Sequence, residues 1–491
     1  MSGFAALRRD GPRVHAAWSD RWWGGDDALT ALFGAAPSEQ SLASTAKALG
    51  PRFATPPAAG GETWADLVIP PPGAGAPPAD ALVVLAGQQP VLAGGPALVA
   101  HKAATAIALA RRLSRDWDRP VVPVFLIADQ DHDTDEVDHV DTFDLSKGAL
   151  RRQRAGLEPR HAPFHLASWD AAAVEGVIRS LAPLRANNEI QKNYKCGHFA
   201  GLTLEAFGPH GLHLLPAHRL GPLGQGVIGR ALAGHAQLAD ELGAGASRLE
   251  QLGLRSAFDP ADPRPLVLET RAGRRRRVEA DDADVGARLR DEPSAFSPHA
   301  ATRPLVQAAA LPVIAQVVGP SELLYLGQAR GLHRAFDLTP PVLVPRFEAT
   351  AVPPALLDDP ARADDLIGLA GPGDPADAGR IAGEFADATA KLVEAVGEQD
   401  PSLRPKLARW KQAADRGASR LAAAPAWRGR GPDALRQRLR PRGRAQDSVL
   451  AWLPEAWAGG DPAAWGGRIV DLCQPLDAPR HVLYTSGLDP A

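Results

Sequence analysis

Cysteine is nearly absent: the chain has two, Cys196 and Cys473, far apart in sequence. That excludes a disulfide framework, and neither cysteine belongs to a CxxC metal motif. Long apolar runs are missing too. No uninterrupted stretch approaches the ~20 residues of a membrane span. The opening MSGFAALRRDGP has no long apolar run after its charges, so no secretory signal is expected. Charge of one sign is also lacking. The formal net charge is -3, so no global field recruits nucleic acid or an anionic membrane. Arg274–Arg277 and the arginines from Arg428 to Arg444 carry no interleaved aromatics, which a stacking surface for nucleic acid needs. They read as solvated faces or loops. By elimination, a soluble cytoplasmic protein is expected.

What remains is a globular composition, 45% hydrophobic and 23% charged, over 491 residues. That length is too great for one simple core, so two to four structural units are expected. Short helices are expected over Asp27–Phe33 and Ser38–Leu49. Ala81–Ala86 and Val121–Ala128 are short apolar runs suited to buried parallel strands. A Gly-rich loop and a helix over Ala97–Leu113 separate them, with Pro96 at a favoured starting position. Strand, loop, helix and strand make a βαβ unit, and ligands of such sheets bind beyond the carboxyl ends of the strands.

Apolar strands return at Leu311–Val318 and Val342–Pro345, around a helix over Ser321–Phe336 with Ser321 as its expected N-cap. Between the halves, residues 146–299 read as inserted α+β material, with strands near His213–Pro216 and Pro265–Glu269. Two Ala-rich helices, Ala376–Val396 and Leu403–Ala424, suggest a helical hairpin. The expected division is therefore 1–145 and 300–370 for the two core halves, 146–299 for the insertion, 371–425 for the hairpin, and 426–491 for a segment packing back on the core.

Three constellations carry chemistry. The first is GQQPVLAGGPALVAHK, Gly87 to Lys102. Its glycines allow close backbone approach, and the helix start after it suits an anion. Gln88 and Gln89 add amide groups. A plain strand-to-helix turn explains the same glycines. The second is ADQDHDTDEVDHV, Ala128 to Val140. So many carboxylates raise one another's pKa unless a cation answers them. His132 beside Asp131 and Asp133 could be a general base. A divalent-metal site, or a solvated acidic helix start, is also open. The third is VVGPSELLYLGQARGLHRAF, with Gly319 at a strand end and Glu322 in the first helical turn. There Glu322 either binds a ligand or favours the helix dipole. Cys196, near His198, reads as inert.

Together the three blocks resemble the cysteine ligase family of bacillithiol biosynthesis, the cysteine-adding enzyme. Gly87, Gln88, Gln89, Gly95, Pro96 and Lys102 match its first motif. Pro123, Val124, Phe125, Ile127, Ala128, Asp131, His132, Asp133, Glu136 and His139 match its second. Ser297, Pro298, Arg303, Pro304, Leu305, Leu311, Pro312, Gly319, Pro320, Glu322, Tyr325, Gln328, Pro345 and Arg346 match its third. The likeness runs in order from about Ala81 to Thr350.

The resemblance implies an α/β fold: a Rossmann-like parallel-sheet core, akin to class I aminoacyl-tRNA synthetases, split by inserted connecting regions. It also implies a C-terminal helical coiled coil that pairs two subunits. The implied reaction joins cysteine to the amine of glucosaminyl-malate, with ATP or another nucleotide to activate the carboxyl. Any metal is left open. Gly94, Gly95 and Pro96, with Gly319, Pro320 and Ser321, would hold phosphate or carboxylate. His132 with Asp131, Asp133 and Gln89 would act on the amine. Glu322 would bind an ammonium or hydroxyl, and Arg346 an anion such as malate. Gly87, Gln88, Lys102 and Tyr325 complete the expected binding set.

The chain departs from the family at Gln130, where a Glu is usual, at His299 in Ser297–Pro298–His299, and at Val318, where a Gly is usual. Other readings are therefore a ligase for another amino acid or amino sugar, a non-catalytic nucleotide-binding or assembly relative, or a metal-dependent hydrolase.

Overall fold

Two neighbouring strands set the layout. In β1 (Leu82–Gln88), Leu82, Val84 and Ala86 join one apolar core, while Val83 and Leu85 join another. In β2 (Val121–Ile127), Val121, Phe125 and Ile127 go to the first core, and Val122, Val124 and Leu126 to the second. Successive side chains of a strand face opposite ways, so a strand buried on both sides must be apolar throughout. Each such Val or Leu contributes roughly 1.5–3 kcal/mol by leaving water.

The computed structural model describes residues 6–9, 21–53, 63–182, 196–367 except 260 and 263, 387–396, a few residues between 400 and 414, and 433–485 except 459 and 478–480. With β3 (His213–Pro216), β4 (Val313–Val318) and β5 (Val342–Pro345), the two strands form a five-stranded sheet in the order β5-β4-β1-β2-β3. Every neighbouring pair is parallel. Read from the other edge this is 3-2-1-4-5, the Rossmann order, whose topological switch point lies between β1 and β4. On one face lie helices Leu98–Trp117, Gly197–Phe207 and Pro462–Leu472. The other face carries Gly221–Ala233, Arg303–Ala310 and Pro320–Ala335.

The expected α/β class, Rossmann-like core and strand positions agree with this structure. Three details differ. The boundaries at 146 and 299 do not follow the sheet, because β3 lies inside the expected insertion yet forms the sheet's edge. The helix after β4 starts at Pro320 with Gly319 as N-cap, so Ser321 is not the cap. A proline needs no N–H at that first position. The described part of the expected hairpin, 387–396, is helical; most of the rest lies outside the described residues.

The C-terminal segment returns to the core. His481–Thr485 pairs with Ala6–Arg9 on one side and Glu348–Val352 on the other; a strand near His481–Tyr484 is expected from the sequence, but its two partners are not. Among the described residues, no helix is long and apolar enough to cross a membrane.

Candidate active site

The loops at the switch point meet through one buried lysine. Lys102, on the first helix turns after β1, donates to the Gly87 carbonyl and to Gln88 Oε1, both at 2.9 Å. Its Nζ also lies 2.6 Å from Glu322 Oε2. Glu322 accepts from the Gly319 N–H at 2.7 Å as well. One carboxylate thus caps the helix after β4 and neutralises a lysine from the helix after β1. Burial pushes the Lys102 ammonium down, with Arg346 adding to this and Glu322 opposing it. Gly87, Gln88, Gly319, Pro320, Lys102 and Glu322 are therefore brought together, and Ser321 is exposed beside them. Tyr325 stands one turn along. Burial raises its hydroxyl pKa, and the nearby charge of Glu322 adds to this.

The second constellation faces the same crevice. The Gln89 amide donates to Glu136 Oε2 at 2.7 Å and to Asp131 Oδ2 at 3.2 Å. Burial raises the Glu136 carboxyl; the Gln89 hydrogen bond opposes this, and the charges of Asp133 and Asp131 add to it. Burial also works to raise Asp131. The His132 contacts and the cations Arg303 and Arg275 outweigh it, so the Asp131 carboxyl ends well below the usual range. Two neighbouring carboxylates are thus driven apart in acidity, which makes Glu136 the stronger base of the two.

The expected cooperation of Asp131, His132 and Asp133 is only partly met. Asp133 is exposed and caps the single helical turn Thr134–Val137, accepting from the Asp135 N–H at 3.2 Å. His132 Nδ1 lies 3.6 Å from Asp131 Oδ1 and 3.4 Å from Arg275 Nη1. The His132 Nδ1 thus faces a donor on one side and an acceptor on the other, so these contacts allow either imidazole tautomer.

Arg275 and Arg303 were not anticipated as charges in the site. Arg275 was assigned to a solvated run, yet it is 5% exposed and bonds Ser297 Oγ and the Pro298 carbonyl. It sits on the strand Arg274–Arg277, where alternate residues turn inward. That period was the signal available in the sequence. Burial, with Arg303 nearby, pushes its pKa down to about 10. Arg303 Nη2 lies 3.5 Å from Asp131 Oδ2. The divergent His299 borders these arginines, and burial with their charge pushes its imidazole down to about 3. Three further acidic residues also meet arginines: Asp138 pairs with Arg154, Asp135 with Arg160, and Asp141 with Arg152 and Arg442. Asp129 instead pairs with His218.

Two expected binding elements are used otherwise. The Gly94–Pro96 turn is covered by the C-terminal segment. Ala97 N–H bonds the Leu450 carbonyl at 2.8 Å, and Trp452 Nε1 bonds the Gly94 carbonyl at 2.9 Å. A Cβ on Gly94 would stand 2.8 Å from the Trp452 ring, and one on Gly95 would stand 2.9 Å from Val91 Cβ. These glycines serve packing, which removes the phosphate cradle expected there. Arg346 is 4% exposed and paired with Asp447, which also lies 3.2 Å from His101 Nδ1. It ties the C-terminal segment to the core and is not presented to a substrate anion. Gln328 is likewise structural: fully buried, its Oε1 accepts from the Ala257 and Phe258 N–H groups. Cys196 is fully buried.

Residues 78–347 match the family described as bacillithiol biosynthesis BshC, N-terminal Rossmann-like domain. Three curated relatives carry the provisional name cysteine ligase BshC. The chain is 31% identical to that of Koribacter versatilis over 301 residues, covering 56% of each chain. It is 30% identical to that of Chlorobaculum tepidum over 313 residues, covering 56% of this chain and 54% of the relative. It is 29% identical to that of Heliobacterium modesticaldum over 308 residues, covering 56% of each. The chain thus spans just over half the length of the curated relatives it matches.

Proposed function

The chain belongs to the family of bacillithiol biosynthesis BshC Rossmann-like domains, and on that premise we propose that it is a carbon–nitrogen ligase joining the carboxyl of cysteine to the amine of glucosaminyl-malate. The observation that carries this reading is the Gln89 amide bridging Asp131 and Glu136 beside the switch point. An amine must lose a proton as it becomes an amide. Glu136, with its carboxyl raised by burial and by two neighbouring carboxylates, is suited to accept that proton. Gln89 holds it in place.

Asp131 stays ionised between Arg303 and Arg275 and would orient both. Arg303, the more exposed of the two, suits a substrate carboxylate or phosphate, since its planar fork matches such oxygens. His132, set beside Asp131 and Arg275, would hydrogen-bond a polar group of the substrate. The Lys102–Glu322 pair fixes the two loops that border the crevice, and Tyr325 remains a neutral hydroxyl donor. A free carboxylate resists amine attack, so ATP or another nucleotide is proposed as the activating co-substrate. The enzyme would act in the cytoplasm on small molecules, with the segment 371–425 pairing two copies.

The test is mass spectrometry of purified protein incubated with cysteine and glucosaminyl-malate, with and without ATP. The expected result is the cysteinyl-glucosaminyl-malate mass, formed only with ATP. Absence of that product in both conditions, from protein shown to be folded, would overturn the proposed reaction.

A further inference from the structure

A second polar cluster lies beside the ligase crevice and is not used by it. We propose that Asp129, His165 and His218 hold one divalent transition-metal ion of the zinc type. The residues come from three separate places: Asp129 just after β2, His218 just after β3, and His165 in the loop before the short strand Ser168–Trp169. One ligand atom from each lies within 4.8 Å of the others. Asp129 is fully buried, and both imidazoles are partly buried. The two rings stack at 4.8 Å between centroids and 14° between planes, so they present their edges side by side.

The hydrogen bonds select the metal-binding tautomer. His165 Nδ1 lies 3.0 Å from the Asp129 carbonyl oxygen. A carbonyl can only accept, so Nδ1 carries the proton and Nε2 the lone pair. His218 Nδ1 meets the Asp129 carboxylate, which also accepts from the His218 N–H at 2.9 Å. The backbone carbonyl behind His165 is an outer contact of the kind that orients metal-bound histidines; His218 Nδ1 and the Asp129 carboxylate already touch, and the ion would replace the proton between them. The Asp129 charge balances the ion. Two imidazoles and one carboxylate favour zinc and its first-row neighbours over magnesium or calcium.

Such an ion would also brace the crevice. The His165 N–H bonds the Asp129 carbonyl at 3.0 Å, and the neighbouring Phe164 N–H bonds the Asp131 carbonyl at 2.9 Å. Filling the cluster would therefore fix the loop that abuts Asp131. The inference goes beyond the ligase reading and does not depend on it.

The experiment uses the untagged full chain, stripped with a chelator and then titrated with Zn²⁺ or Co²⁺. One equivalent of Zn²⁺ by elemental analysis is expected, together with visible Co²⁺ absorption bands of a low-symmetry nitrogen–oxygen site. Asp129→Asn should weaken Zn²⁺ binding by more than about 100-fold, beyond the effect of an outer contact, and the His165→Ala/His218→Ala double variant should abolish it. Failure of the wild-type chain to bind Zn²⁺ or Co²⁺ would overturn the proposal, and so would unchanged binding by the double variant. The wild-type Co²⁺ spectrum decides the matter even if the double variant does not fold. None of these readouts needs turnover, so they stand apart from the ligase assay.

Discussion

Glu136 and Asp131 share one amide donor yet are pushed in opposite directions by their surroundings. The acidic run made both visible in the sequence, but not which one would be the stronger base, because that depends on Arg275 and Arg303 arriving from distant strands and helices. Arg275 was hidden in an arginine run that looks solvated until its strand period is applied. The expected consequence is kinetic. A base with a raised pKa loses its active form as pH falls through that value, so ligase activity should decline on an acid limb lying above the ~4.3 of a free Glu. Glu136→Gln should lower kcat by about 10²- to 10⁴-fold and remove that limb. A pH–rate profile of both proteins checks this; an unchanged profile in the variant would assign the proton transfer elsewhere.

At the scale of elements, β1, β2, β4 and β5 were legible because buried parallel strands are continuous apolar runs, and the helix between β1 and β2 because it links them. The edge strand β3 was legible as a strand but not as part of this sheet, since pairing partner is a non-local property. The Gly94–Gly95 turn illustrates the same limit. Its composition fits an anion cradle, but Trp452 arrives from far along the chain and occupies the space. Gly94 also has φ of 82°, where a Cβ is strained. Gly94→Ala is therefore expected to cost about 1–3 kcal/mol of stability through strain and overpacking. Urea denaturation would read that loss. KM for substrates should stay near the wild-type value; a raised KM with unchanged stability would restore the cradle.

Across the whole molecule, the C-terminal segment is bound to the Rossmann core by a buried ion pair as well as by strand pairing. Asp447→Asn would take from the buried Arg346 its ion-pair partner beside His101, at a cost of about 3–5 kcal/mol. The double variant Arg346→Met/Asp447→Leu should recover most of that loss, because removing both charges removes the uncompensated one. Thermal unfolding of the two variants distinguishes a buried ion pair from an anion-binding arginine, for which the double variant would restore nothing in substrate affinity and the single variant would cost little stability. Neither Asp447 nor its pairing was legible in the sequence, where Arg346 looked like a ligand for a substrate anion.

Substrate binding at the switch point between β1 and β4 is tested most directly by hydrogen–deuterium exchange. With cysteine, glucosaminyl-malate and ATP present, protection is predicted at Gly87–Gln89, Asp131–Glu136 and Gly319–Glu322. The opposite end of the sheet carries a cavity of about 360 Å³ lined by Phe53, Asp80, Leu82, Arg119 and Pro312. Protection confined to that cavity, with the three loops unchanged, would contradict the account.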